Sequence, residues 1–208
     1  MSQLGDGPEG VAKAKLAASA LLTLPGVPFV YYGEEIGMVG VKPDEMIRTP
    51  MQWNASEHAG FTTGTPWEPV NDDYTSVNVA AQQADSDSLL RHYQRLLTVR
   101  REHPALSIGA LRALQSSCPG VLAALRTTPD SADTVLVMLN FNATEATGCT
   151  VSAPSSELPE GTRQATELLT SKPASAVTVG PDGALEAAQP LPTLGPRQAA
   201  ILHLTAAR

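Results

Sequence analysis

An α/β front followed by an all-β rear is the fold class this 208-residue sequence predicts, and three observations carry it. An Ala- and Leu-rich stretch of helical period runs into a short β-branched and aromatic segment, Val27 to Tyr32. Beyond Gly109 that period vanishes, and short alternating runs are separated by Pro/Gly turn signals. Eight of the nine aromatic residues precede residue 105 and only Phe141 follows, so the two regions are built differently.

The elements follow in chain order. Val11, Leu16, Ala20 and Leu24, with Ala14, Ala17 and Leu21, recur at helical spacing in strong helix formers, which predicts a first helix over Glu9 to Leu22. Pro25-Gly26 ends it, because proline lacks the ladder donor and disfavours helical geometry in the residue before it. Val27-Pro-Phe-Val-Tyr-Tyr-Gly33 then reads as a strand buried on both faces of a parallel sheet. From Glu34 to about Gln83 the pattern is polar and irregular, with four prolines, the mark of a long functional loop. Asp85-Ser-Asp-Ser caps a second helix, Leu89 to Glu102, with Leu89, Leu90, Tyr93, Leu96 and Leu97 on one face and Pro104 closing it. Seven short runs between Ala110 and Leu204, broken by turns such as Pro119-Gly120 and Pro181-Asp182-Gly183, predict an antiparallel β-sandwich. The division falls at residue 104, giving 1–104 and 105–208.

Composition narrows the function. Fourteen Lys+Arg against 21 Asp+Glu give a net charge of −7, which argues against nucleic acid and against a polybasic membrane surface. No run approaches the roughly 20 apolar residues of a membrane span, and no basic segment followed by an apolar one opens the chain. The expectation is a soluble protein, with a cytoplasmic location favoured. Cys118 and Cys149 show no metal-ligand spacing and read as idle or buried thiols, while a disulfide needs a geometry that sequence does not supply. No cofactor and no metal are expected.

Three linked motifs carry a resemblance. Leu21 to Met38 resembles the eighth strand, with its preceding helix, of the α-amylase superfamily (glycoside hydrolase family thirteen). Arg48-Thr-Pro-Met-Gln-Trp-Asn54, then His58 to Trp67 and Val77-Asn-Val79, resemble the loop after that strand in bacterial α-glucosidases, oligo-1,6-glucosidases and related amylases. The resemblance implies the last helix-strand-helix portion of a TIM (β/α)8 barrel, with the β-sandwich as the family's C-terminal domain. It implies retaining chemistry on α-glucosides of starch, maltodextrin or oligosaccharides, run by a carboxylate nucleophile and a second carboxyl group. The family's catalytic motifs follow strands four, five and seven, and none of them is in this chain. No catalytic residue is therefore assigned, and the chain reads as a piece inactive by itself. Its partner is an α-linked glucoside or malto-oligosaccharide once the remaining barrel complements it. The rival is a standalone module that binds glucan or another protein.

By the same resemblance Arg48 pairs with an aspartate near the first strand and closes the pocket floor, a task suited to a fixed, permanently charged guanidinium. The plainer alternative is an ordinary loop ion pair. Glu34 and Glu35 are neighbours on an extended chain and point apart, so they are expected to shape the loop and not to share one bond. Trp53 and Trp67 are expected to pin the loop by burial, and Tyr31 and Tyr32 to form core and barrel wall. His58, His92, His103 and His203 are expected to form no cluster. Asn54 stands where many relatives carry aspartate, and the link from Met38 to Arg48 is short. These departures leave exo-acting α-glucosidases and malto-oligosaccharide amylases both open.

Overall fold

The computed structural model describes residues 4–5 and 7–207. The chain divides into two compact units: residues 1–15 with 28–95, and residues 16–27 with 96–208. No described helix is long and apolar enough to cross a membrane.

Helix α1, Gly7–Thr23, opens with Pro8 in its first turn, where the missing N–H costs nothing. Ala14, Ala18 and Leu22, four apart, form its buried stripe. At its end the Thr23 hydroxyl donates to the Ser19 carbonyl at 2.6 Å.

In the first unit the expected buried strand is absent. Val27 to Tyr32 forms no strand, and Val27 and Phe29 are 79% and 83% exposed. A parallel strand bonds only to neighbouring strands, and the described chain offers it none. The long loop instead holds short 3-10 turns and helix α2, Val79–Ala84, capped by Asn78, whose side chain accepts from the Ala81 N–H at 2.8 Å. Ile36, Met51 and Leu90 make its small core, with Met38 and Val79 against it. Fully buried Gln52 binds the loop's parts together: its amide donates to Asp73 at 3.1 Å and accepts from Asn71 at 3.2 Å.

Helix α3, Leu89–Glu102, falls where its period puts it. Ser88 caps it, accepting from the Arg91 N–H at 3.2 Å. Leu89, Leu90, Tyr93, Leu96 and Val99 are buried, whereas Leu97, expected on that face, is 48% exposed. Val99, three residues after Leu96, is buried in its place.

The second unit corrects the sandwich. After helix α4, Pro104–Ile108, come ten strands: β1 Ala110–Ser116, β2 Val121–Thr127, β3 Thr134–Asn140, β4 Ala146–Thr147, β5 Val151–Ala153, β6 Gly161–Glu167, β7 Lys172–Val179, β8 Leu185–Ala188, β9 Thr193–Leu194 and β10 Ala199–Ala206. Eight of them form one closed antiparallel ring, β1-β2-β3-β10-β6-β7-β8-β5, with β4 and β9 paired apart. The ring closes because Gln115 and Ser116 of β1 pair with Ser152 and Val151 of β5. Alternation describes which residues face inward but not whether a sheet closes.

Leu125, Leu136, Met138, Val151 and Leu202 fill the barrel core. Val135, Val137 and Leu139, at the alternate positions of β3, are also fully buried, and α4 lies against this strand. The cysteines are not idle: Cys118 and Cys149 form a disulfide, with their Cα atoms 5.4 Å apart. It ties the turn after β1 to the residues before β5.

Candidate functional site

Gly33 and Gly37, both at positive φ, bracket a 3-10 turn that begins with Glu34 and Glu35. The two carboxylates part, as neighbours on a turn should. Glu34 is committed to the scaffold: Oε1 accepts from the Tyr93 hydroxyl at 2.8 Å and Oε2 from the Tyr31 N–H at 3.2 Å. Burial pushes the Tyr93 phenol up, and its hydrogen bond to Glu34 adds to this, so it stays protonated as the donor. Glu35 instead lines an open recess of about 300 Å³, and its Oε2 is buried with no hydrogen-bond partner.

Tyr32, Arg48, Trp53, Phe61 and Trp67 line the same recess. The loop that carries them is shaped locally. His58 and Ala59 take positive φ, and the Ala59 carbonyl accepts from the N–H groups of both Trp53 and Asn54. Asn54 accepts from the Ser56 N–H at 2.9 Å and its hydroxyl at 2.5 Å. A Cβ on Gly60, itself at φ 67°, would lie 2.4 Å from the Asn54 amide, so only glycine fits there. Aspartate at position 54 could accept the same bonds, so the asparagine leaves this turn intact.

Trp53, Phe61 and Trp67 are 48%, 46% and 61% exposed, contrary to the burial expected of the tryptophans. Tyr31 and Tyr32 are likewise exposed, at 55% and 44%, and lie against each other with ring centroids 4.9 Å apart and planes tilted by 39°. Aromatic rings pin a loop only when something covers them, and here Tyr32, Trp53, Phe61 and Trp67 are left partly open at the recess. The Tyr32 hydroxyl donates to the Thr49 carbonyl at 3.0 Å, and partial burial and Tyr31 raise its pKa against the opposing pull of Arg48. Arg48 is exposed, with Nη2 3.5 Å from Asp44 Oδ2. Lys42 bonds the other oxygen of Asp44. The guanidinium is thus at the recess and loosely held by a loop carboxylate.

The histidines divide. His58 lies 3.8 Å from Glu57 and His92 is buried against the Lys15 carbonyl at 3.0 Å. His103 and His203, expected apart, meet at Asp133 in the β-barrel unit, 2.9 and 3.3 Å from its Oδ1. Strand pairing brings together residues far apart in sequence, and no local spacing announces that. Among the described residues this is the one group of three His, Cys, Asp or Glu side chains arranged as a metal could use them.

Solved structures define the class first. A trehalose-6-phosphate hydrolase from Bacillus licheniformis superposes with a TM-score of 0.71 at 27% identity, over 98% of this chain and 40% of that one. The trehalulose synthase of Pseudomonas mesoacidophila MX-45 gives the same TM-score at 29% identity and the same coverages. The fold is thereby TIM-barrel-related and of the glycoside hydrolase class. The model of the α-amylase catalytic domain matches residues 1–109, and the chain belongs to that family. The chain is 42% identical to a trehalose synthase/amylase of Mycobacterium tuberculosis over 139 residues, 62% of this chain and 23% of the relative. It is 34% identical to an oligo-1,6-glucosidase of Halalkalibacterium halodurans over 167 residues, 63% of this chain and 29% of the relative. It thus spans under a third of these curated relatives.

Proposed function

We propose that this chain supplies the eighth-strand segment, its active-site loop and the C-terminal β domain of a retaining α-glucoside hydrolase, and that it is inactive until the rest of the barrel joins it. The division of labour falls at residue 104, with 1–104 the barrel portion and 105–208 the β domain. The observation that carries this reading is Val27 to Tyr32: a stretch with the composition of an inner barrel strand that stands exposed and without a ladder. Retaining hydrolysis needs two carboxyl groups about 5 Å apart across one bond, whereas Glu34 is bound to Tyr93 and only Glu35 faces the recess.

In the completed enzyme Arg48 closes the glucose pocket, exchanging its loose pairing with Asp44 for a carboxylate of the added barrel. The substrate is an α-linked glucoside or malto-oligosaccharide. The purified chain on maltose, isomaltose and a chromogenic α-glucoside should give no turnover above buffer, and robust hydrolysis by the chain alone would sink the proposal. Mixed with a barrel portion taken from the oligo-1,6-glucosidase relative, it should restore turnover. Arg48→Ala should then lower kcat/KM by about 100-fold, the scale of a lost buried charge pair, with the complex still formed.

The half-exposed Trp53, Phe61 and Trp67 favour a second reading, a glucan-binding module, because sugar rings stack on such faces. Quenching of tryptophan fluorescence by maltoheptaose with the chain alone, lost in Trp67→Ala, would select it.

A further inference from the structure

The β-barrel unit holds a group of donors that the glucoside site does not use. His103 sits between α3 and α4, Asp133 just before β3, and His203 within β10. His103 Nδ1 lies 2.9 Å and His203 Nε2 3.3 Å from the same oxygen, Asp133 Oδ1, and all three donor atoms lie within 4.8 Å of one another. The imidazole centroids are 4.6 Å apart with the rings tilted by 60°.

The carboxylate is held in place for this. Its second oxygen, Oδ2, accepts from the Ala105 N–H at 2.9 Å. The backbone on either side is fixed by Thr128, whose N–H donates to the Asp133 carbonyl at 3.0 Å and whose hydroxyl oxygen accepts from the Asp133 N–H at 3.1 Å. One oxygen is thus spent on the scaffold and the other presented to both rings. The three side chains are 13%, 15% and 27% exposed, His203 being the most open. The group is sheltered, with one side left to solvent.

Metal geometry makes this arrangement informative. Bonds of about 2.0–2.1 Å in a tetrahedron put neighbouring donor atoms about 3.3–3.4 Å apart. The two nitrogen-to-oxygen separations, 2.9 and 3.3 Å, are close to that edge, and the nitrogen-to-nitrogen separation needs at most a modest ring movement. Two imidazoles and one carboxylate, with the distal carboxylate oxygen bonded to a backbone N–H, form the donor set and outer support of zinc-type sites. Calcium and magnesium take oxygen-rich sets and are not suited to it.

We propose that His103, Asp133 and His203 bind one late first-row divalent cation, of which zinc is the representative, with water in the fourth position. The ion ties the residues ahead of α4 to β3 and β10 and stabilises the barrel unit by mass action.

The test uses the full chain, without a histidine tag and freed of metal by a chelator, titrated with zinc chloride alone. Calorimetry should show one equivalent bound with a rise in Tm, and calcium or magnesium at equal concentration should produce neither. Cobalt(II) should give the intense visible bands of a tetrahedral nitrogen/oxygen site, which a hydrogen-bonded clasp would not give. His203→Gln should weaken zinc binding at least about 10-fold, while His58→Gln should leave it unchanged. No stoichiometric zinc binding by the unaltered chain would overturn the proposal and leave a His-Asp-His clasp. Unchanged binding in a folded His203→Gln chain would also overturn it. Should His203→Gln fail to fold, the cobalt spectrum of the unaltered chain decides alone.

Discussion

Arg126 shows how one residue's chemistry can be settled by backbone alone. It is 1% exposed on β2, and its guanidinium donates to the Thr23 carbonyl and, at 2.9 Å, to the Gly109 carbonyl. Thr23 ends α1, where orphan carbonyls and the negative end of the helix dipole favour a cation. Arg126→Met keeps most of the volume but strands two buried carbonyls, so it should cost about 2–4 kcal/mol in urea unfolding. A loss below about 0.5 kcal/mol would mean that water serves those carbonyls instead. His92 is the second case. Burial lowers its pKa from 6.5 to about 4, with Lys15 and Arg95 adding to the effect and Asp87 and the Lys15 carbonyl opposing it. The unfolded chain therefore binds the proton more readily than the folded one between about pH 6.5 and 4. Stability is complete above that window and is lost as pH falls through it, by up to about 3 kcal/mol. Asp87, whose pKa is lowered by its hydrogen bond to Lys15, titrates below this range. Urea midpoints at pH 7 and pH 4.5 should differ accordingly, and His92→Gln should remove most of the difference.

At the scale of elements, what could be read from sequence was what is written locally. Helices α1 and α3 carry their period, their breaking prolines and the Ser88 cap in contiguous residues, and both appear where these signals put them. Val27 to Tyr32 carries an equally strong pattern, but a parallel strand needs a ladder partner and none of the described strands pairs with it. Closure of the barrel, the short strands β8 and β9, and the Cys118–Cys149 bond depend on pairings between distant residues, which no local period encodes. That disulfide closes a loop with a sequence separation of 31, for which chain entropy gives a stabilisation of about 3–4 kcal/mol. Adding dithiothreitol should lower the Tm of the β-barrel unit, as should replacing both cysteines with alanine. An unmoved Tm on full reduction would show that the bridge contributes nothing to the folded state.

For the whole molecule, the candidate recess was partly legible because Arg48, Trp53, Phe61 and Trp67 sit in one continuous loop. Their exposure was not, since burial belongs to whatever else surrounds a side chain. Glu35 separated from Glu34 by turn geometry alone, yet its unpartnered oxygen had no sequence signal. The meeting of His103, Asp133 and His203 had none either. Amide exchange should report the contrast directly, fast in Val27 to Tyr32 and slow throughout β3. Protection at Val27 to Tyr32 equal to that of β3 would mean that the segment is paired in solution.

The closed ring has one more consequence. A sheet whose strands close into a ring leaves little open edge onto which another chain could grow, although β7 and β8 are joined only at Val179 and Leu185. Val27 to Tyr32 is the reverse, apolar and largely uncovered. Aggregation of this chain at high concentration should therefore be templated at that stretch and spare the barrel, and a lysine in place of Phe29 should suppress it.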